Sequence, residues 1–307
     1  SNILKSLGAS GLVKKLELGG SLDIKGDDIS LFDINGKING TTSVSGVLNI
    51  KRGGKAPAFD AILNLDKADV TSVLSDDYAG FMQKVMASDA ALTLHVKDFT
   101  KGALAGSDFV FKGKVADGVL AVENMSGTFA NDGNFESSGK IASLNPLAGL
   151  DMAYTVTDSQ LGGLSGYGAE IPPPLWGSNS ATLKGHVKGD AKAYTFTADG
   201  VSQGGDVSLS GTATAGNQGT YSYVNNIEMK NATWAQIGLP VDRLFAEDSK
   251  FPFSAKLNGT RSTYQFDNIK AGEVTGTLGR RDGKYVGDLT APEIDFDRWV
   301  WEDWKLQ

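Results

Sequence analysis

The 307-residue chain contains no cysteine, which excludes disulfides, thiol nucleophiles and Cys-based metal sites. Proline is scarce, at 8 residues, so extended segments run with few lost amide donors. No stretch of about 18 consecutive apolar residues occurs, so no segment has the pattern of a membrane-spanning helix. A charged n-region followed by an apolar h-region is missing as well. The chain begins Ser1-Asn2, without Met, and is expected to be an excised or processed piece of a longer protein. Concentrated positive charge is also lacking. The net charge is −7, and no basic cluster exceeds dipeptides such as Lys14-Lys15 and Arg280-Arg281. Nucleic acid is therefore not an expected partner, because neutralising phosphates requires a cationic face. Charge alone does not favour an anionic bilayer surface either.

Catalytic signatures are equally thin. There is no Ser-His-Asp order, no phosphate-cradling glycine loop and no Gly-x-Ser-x-Gly in a strand–turn–helix context. The two histidines, His95 and His186, fall by alternation on the polar face of their strands and are far apart in the chain. Asp66 with Asp69, and Asp295 with Asp297, lack the glycine and the further oxygen ligands of a calcium loop. Turn capping and strand-edge solubility account for them better. Glycan hydrolysis needs two carboxylates facing each other across a cleft, and the alternation points the acids outward. The expectation is a protein that is not an enzyme and that carries no metal and no cofactor.

What the chain does have is period-2 alternation from end to end. Phe59-Ala61-Leu63-Leu65, Leu92-Leu94-Val96, Phe109-Phe111, Tyr194-Phe196-Ala198, Val207-Leu209, Phe251-Phe253-Ala255-Leu257, Tyr264-Phe266 and Val274-Gly276-Leu278 alternate with Asp, Asn, Lys, Ser and Thr. That pattern belongs to an antiparallel sheet with one apolar and one wet face. It predicts that Leu63, Leu65, Leu92, Leu94, Phe109, Phe111, Phe196, Leu209, Phe253, Leu257, Phe266 and Leu278 all face one side. Glycine, at 39 residues, is spread throughout. Asn35-Gly36, Asn39-Gly40, Asp117-Gly118, Asp132-Gly133, Asp199-Gly200, Asn258-Gly259 and Asp282-Gly283 read as tight hairpin turns.

One segment, Val70 to Met86, reads clearly as helix. It is expected to lie against the apolar face, with Phe81, Met82 and Val85 inward. Weaker helical turns are expected over 144–150, 160–167 and 233–244. A strand running into a short irregular turn recurs at 62–70, 152–161, 227–237 and 292–300, at intervals of roughly 60 to 90 residues. Stacked β modules account for such a repeat better than a single closed barrel. The reading is an all-β fold, an elongated and twisted antiparallel sheet forming an open groove or an incompletely closed barrel. Its parts are N-terminal strands over 1–58, a module with the helix over 59–148, a module over 149–215, and a C-terminal module over 216–307. The last ends in Trp299, Trp301 and Trp304, read as an end-plug.

Two groups of motifs resemble the AsmA-like family of bacterial envelope proteins, which includes the TamB-like members. The first runs from Ser88-Asp89-Ala90-Ala91-Leu92-Thr93-Leu94-His95-Val96 through Asp117-Gly118-Val119-Leu120 and Met125-Ser126-Gly127-Thr128 to Ser138-Gly139-Lys140-Ile141. The second joins Leu183-Lys184-Gly185-His186-Val187-Lys188-Gly189 to Val207-Ser208-Leu209-Ser210-Gly211, with Leu65-Asp66-Lys67-Ala68-Asp69-Val70 and Ile294-Asp295-Phe296-Asp297-Arg298-Trp299 similar to a further family segment. The motifs are short, and their order over residues 59–215 carries the resemblance. It implies a periplasmic location and an inner-membrane helix that this chain does not include. It also implies a β-groove whose apolar interior holds or conducts phospholipid acyl chains between membranes and so serves the outer membrane. The absence of cysteine fits an envelope protein, though it also fits many cytosolic ones.

The physical chemistry agrees with that implication. A groove of Leu, Val, Ile and Phe offers an acyl chain about 0.8 kcal/mol per buried CH₂. Non-directional contacts let a lipid slide, and glycine and threonine between the larger residues would leave room. Neither end looks capped, so other envelope proteins or further copies of the chain are expected at open sheet ends. The competing reading is a structural scaffold or interaction module with a dry, packed core.

Overall fold

The computed structural model describes residues 15–53, 58–69, 79–101, 104–129, 133–144, 146–160, 180–202, 205–215, 221–233, 250–260, 263–281 and 284–292. The described chain is nearly all β, as the alternation predicts, and every strand pair with a register given below is antiparallel except one. It divides into two compact units. The division falls at 155/156, with Lys188–Ala191 joining the first unit. The four expected modules are thus grouped more coarsely. Continuous ladders run past 58/59 and 215/216, because the strand Thr42–Lys51 pairs with Ala58–Asp69 and Gly205–Ala215 with Tyr221–Ala232.

Unit 1 holds β1 (Leu16–Lys25), β2 (Asp28–Ile38), β3 (Thr42–Lys51), β4 (Ala58–Asp69), β5 (Asp89–Lys101), β6 (Leu104–Ala116), β7 (Val119–Phe129) and β8 (Asn134–Ile141), paired in chain order. Two of the Asn-Gly and Asp-Gly signals are hairpin turns. Asn39 and Gly40 have φ of 53° and 74°, Asp117 and Gly118 of 51° and 74°. Left-handed conformations at both central residues are what a tight hairpin needs. Asn35-Gly36, Asp199-Gly200 and Asn258-Gly259 instead lie within strands, which corrects their reading as turns. At Gly36 the reason is close approach: a Cβ there would collide with the Glu17 carbonyl of the paired strand. Asp132, Asp282 and Gly283 lie outside the described residues.

β4 and β5 pair in parallel, from Ala58↔Asp89 to Asp69↔Thr100, where a hairpin meander was expected. Parallel neighbours cannot be joined by a tight turn and need a crossover. The connecting segment contains α1 (Ala79–Met86), so the one clear helical signal in the sequence marks the return path between parallel strands. α1 runs beside β5, β6 and the short strand Ser143–Leu144. Its C-terminus is closed by Ser88, whose hydroxyl donates to the Val85 carbonyl at 2.7 Å. Val85 is half-buried. Val70 to Tyr78, and the side chains of Phe81 and Met82, lie outside the described residues.

The weak helical turn expected over 144–150 is instead a miniature hairpin. β9 (Ser143–Leu144) and β10 (Leu147–Ala148) pair through Leu144↔Leu147. Pro146 between them has no amide to give a helix. The turns expected after 160 and 233, and the tryptophan cluster, fall outside the described residues. β11 (Leu150–Gln160) pairs with β8 and leads the chain into unit 2.

Unit 2 is built on β12 (Ser180–Gly189), β13 (Ala193–Ser202), β14 (Gly205–Ala215), β15 (Tyr221–Ala232), β16 (Phe251–Gly259), β17 (Tyr264–Ala271), β18 (Val274–Arg281) and β19 (Lys284–Thr290), each paired with the next. The largest fully buried side chains among the described residues are here: Ile227, Phe253, Leu257, Phe266 and Ile269. Fully burying each contributes about 1.5–3 kcal/mol.

Candidate functional site

Cross-strand partners share a face, so the ladder registers fix where the twelve predicted residues lie. In unit 1, Leu63 opposes Leu94, which opposes Phe111. Leu65 continues through Val96 to Phe109, and Ala61 opposes Leu92. The six predicted residues of this unit, Leu63, Leu65, Leu92, Leu94, Phe109 and Phe111, share one face with Ala61 and Val96. In unit 2, Phe196, Gly211, Asn225, Leu257, Phe266 and Leu278 form one row across six strands. Leu209 opposes Ile227, and Phe253 opposes Met229, on the same side. The two sets belong to separate units.

Burial separates the sets. Leu257 and Phe266 are 0% exposed and Phe253 is 2% exposed; Leu209 and Leu278 are also buried and Phe196 is half-buried. In unit 1, Leu63, Leu65, Leu92, Leu94, Phe109 and Phe111 are all only half-buried. The same face continues into β1 through Leu18↔Gly36, Leu22↔Leu31 and Ile24↔Ile29. There Leu18 is 50% and Leu22 59% exposed, and Leu16 and Ile24 are similarly open. Scattered exposed leucines are ordinary, but these extend a continuous apolar surface.

The registers also reveal a row that the alternation reading left out of the site. Ile24, Ile29, Ile50, Phe59, Ala90, Val115, Leu120 and Ile141 oppose one another in turn across all eight strands β1 to β8. Seven steps of about 4.8 Å give a contour of roughly 34 Å. Its members are mostly half-buried; Val115 is buried and Ile24 exposed. Each sits near a strand end beside a turn, where alternation has few residues to register. The pairing across Gly26-Asp27 and Asp117-Gly118 was the signal that could have found them. Beyond this row lies a hollow of about 680 Å³ lined by residues including Asp27, Asp28, Lys51, Met86, Asp89 and Asp117.

Part of unit 1 is filled, not open. Phe99 meets Phe109 edge-on at 5.9 Å between ring centres, and Phe135 lies 6.4 Å from Phe109 and 5.0 Å from Phe129. The Phe99 ring covers Gly106, its cross-strand partner, so closely that a Cβ there would overlap the ring. Here glycine makes space for an aromatic ring, and no open lumen is left over it.

The polar candidates are dispersed. His95 is exposed and lies on the face opposite Leu94. Asp66 accepts a hydrogen bond from the Ser43 amide at 2.7 Å. Desolvation would raise its carboxyl, but the Ser43 hydroxyl and amide and Lys67 outweigh it and hold the pKa low. Among the described residues no group of three His, Asp or Glu is placed to hold a metal ion. Asp295 and Asp297 lie outside those residues.

At one end of the unit 2 face the apolar character stops. Tyr223, Gly259, Tyr264, Arg280 and Tyr285 form a row across five strands. The Tyr223 hydroxyl donates to the Thr260 carbonyl at 3.1 Å. The Tyr264 hydroxyl is buried beside the Tyr285 and Arg280 side chains, and Oδ1 of Asn225 in the adjacent row is buried without a hydrogen-bond partner. Burial pushes the Tyr264 phenol up to about 12; Tyr285 adds to the shift and Arg280 opposes it. Arg280 lies over the Tyr285 ring, 5.9 Å from its centre.

No family model, no curated protein and no solved structure matches this chain.

Proposed function

We propose that this chain is a lipid-binding or lipid-conducting β-groove protein, not an enzyme. Phospholipid acyl chains would lie on the apolar face of unit 1. What carries the reading is the continuous apolar surface of β1 to β8, half-buried over most of its extent and more than 40% exposed at Leu16, Leu18, Leu22 and Ile24. A surface of that kind is costly in water and gains about 25 cal/mol for each Å² that an acyl chain covers. Contacts to isoleucine, leucine and phenylalanine have no direction, so a chain can slide along them. The motif resemblance to AsmA-like proteins supports a broader reading. In it the protein moves phospholipid between membranes from the periplasm, is anchored in the inner membrane through a segment not in this chain, and maintains the outer membrane.

A second reading, a scaffold or interaction module with a dry core, is favoured by unit 2, where Phe253, Leu257 and Phe266 are packed almost completely. Native mass spectrometry after mild extraction, combined with thermal unfolding of Leu94→Arg and Phe253→Arg, decides between them. The lipid reading expects phospholipid on the wild type and its loss from Leu94→Arg with unfolding still cooperative, because a long charged side chain can reach water from a half-open face. Phe253→Arg is expected to unfold, since a buried unpaired charge has no such exit. A wild type that carries no lipid, with Leu94→Arg unfolding as readily as Phe253→Arg, would establish the dry scaffold.

A further inference from the structure

We propose that Tyr264, Arg280 and Tyr285 in unit 2 form an oxyanion site that takes the phosphate of a phosphate-bearing ligand. The site lies in a different unit from the proposed acyl-chain groove and does not depend on it. The three residues are direct cross-strand partners on β17, β18 and β19, so their side chains leave the sheet side by side on one face. They follow the packed row of Leu257, Phe266 and Leu278 at the next inward position, and Tyr264 stands edge-on to Phe266 at 5.8 Å.

Arg280 is half-buried, and among the described residues it has no carboxylate partner. The nearest acids along the neighbouring strands point the other way. Asp267 is on the opposite face, held by the Asn258 and Gln265 side-chain amides at 2.6 and 2.7 Å, and Asp288 shares that face opposite Thr277. The neighbours of Arg280 there are the Tyr285 ring and the Tyr264 phenol, neither of which carries a counter-charge, so the guanidinium remains free to pair with an anion. Its planar fork matches two phosphate oxygens. The Tyr264 hydroxyl, buried within reach of the Arg280 and Tyr285 side chains, provides a donor beside it, and burial holds that phenol above its usual value. Tyr285 is 47% exposed and leaves one side open for entry. A strand carrying arginine between two tyrosine-bearing strands thus places a cation and two phenols side by side on one face, where the cross-strand registers set no carboxylate beside Arg280 among the described residues.

The test uses the full chain and two probes, inorganic phosphate and water-soluble dihexanoyl phosphatidic acid, followed by calorimetric titration. Arg280→Gln is compared with Arg281→Gln, whose side chain belongs to the opposite, exposed face. Saturable binding of either probe is expected, weakened about tenfold or more by Arg280→Gln, which removes the charge and its bidentate hydrogen bonds, and unaffected by Arg281→Gln. Tyr264→Phe is expected to weaken binding less, with the circular dichroism of the sheet unchanged. Binding of inorganic phosphate would assign the site to the free oxyanion, and binding of the lipid alone would assign it to a headgroup; both uphold the site. Failure of both probes to bind the wild type, or equal affinity in Arg280→Gln, overturns it. If Arg280→Gln loses its sheet signal, Arg280→Lys replaces it. Lysine keeps the charge without the fork, and undiminished affinity in that variant counts against the bidentate site.

Discussion

The apolar faces of the two units carry the same kinds of residue at the same spacing, yet they bury them differently. On β14 to β18 each inward Leu or Phe is almost wholly enclosed, whereas on β1 to β6 most inward Leu, Ile and Phe residues are half-buried or exposed, with Ile34, Val44, Val96, Phe99 and Val115 enclosed among them. Alternation therefore specifies a side and says nothing of its cover. Burial is a property of what is packed opposite, and two strands of identical pattern can belong to a core or to an open surface. That difference is why unit 1 supports a ligand-holding reading while unit 2 resembles an ordinary core with a polar end.

The largest effect that would break this comparison concerns paired phenylalanines. Phe266→Ala, at a fully enclosed position, is expected to cost about 3–5 kcal/mol in urea unfolding. Phe111→Ala, on the half-buried face, is expected to cost roughly half as much or less. Equal losses would mean that the two faces are packed alike.

A smaller effect tests whether unit 1 is open throughout. Gly106→Ala places a methyl group where the Phe99 ring lies and is expected to cost about 1–3 kcal/mol, with a change in the near-ultraviolet circular dichroism of the phenylalanine cluster. Wild-type stability in that variant would show the aromatic corner to be as yielding as the rest of the unit.

Alkaline titration probes the polar end of unit 2. The Tyr264 phenol ionises near 12 in the folded protein and near its usual value of 10.0 when unfolded. The folded state thus holds a proton that the unfolded state has released. The contribution is complete below about pH 10 and is lost as pH rises through about 12. Tyr264→Phe should flatten the pH dependence of stability in that window. An identical slope in wild type and variant would show that this phenol is not protected.

The smallest effect on stability is expected at the open edge of the unit 1 face. Leu22→Ser should change stability by no more than about 0.5 kcal/mol. Because Leu22 is 59% exposed, the same change should reduce binding of a hydrophobic fluorescent dye measurably. A large loss of stability with unchanged dye binding would place Leu22 in a closed core.

Much of this architecture was legible in the residues. Period-2 alternation is imposed by backbone geometry, so Leu63, Leu94 and Phe111, or Leu257, Phe266 and Leu278, could be placed on a common face before any strand partner was known. Left-handed turn chemistry likewise identified Asn39-Gly40 and Asp117-Gly118. The same dipeptide chemistry misled at Asn35-Gly36, because glycine serves close strand approach as well as turns, and only the partner strand distinguishes the two uses.

Three features needed the tertiary structure. The parallel pairing of β4 with β5 depends on where α1 returns the chain, which no local residue pattern records. The eight-strand row from Ile24 to Ile141 exists only once eight separate registers are set. The meeting of Tyr264, Arg280 and Tyr285 joins three strands whose side chains are neighbours through hydrogen bonding across the sheet. Sequence alone determined strand character and facing, because both follow from local sterics and a two-residue period. Pairing, cover and the gathering of polar groups were decided by contacts between distant segments, whose free energies no single strand contains.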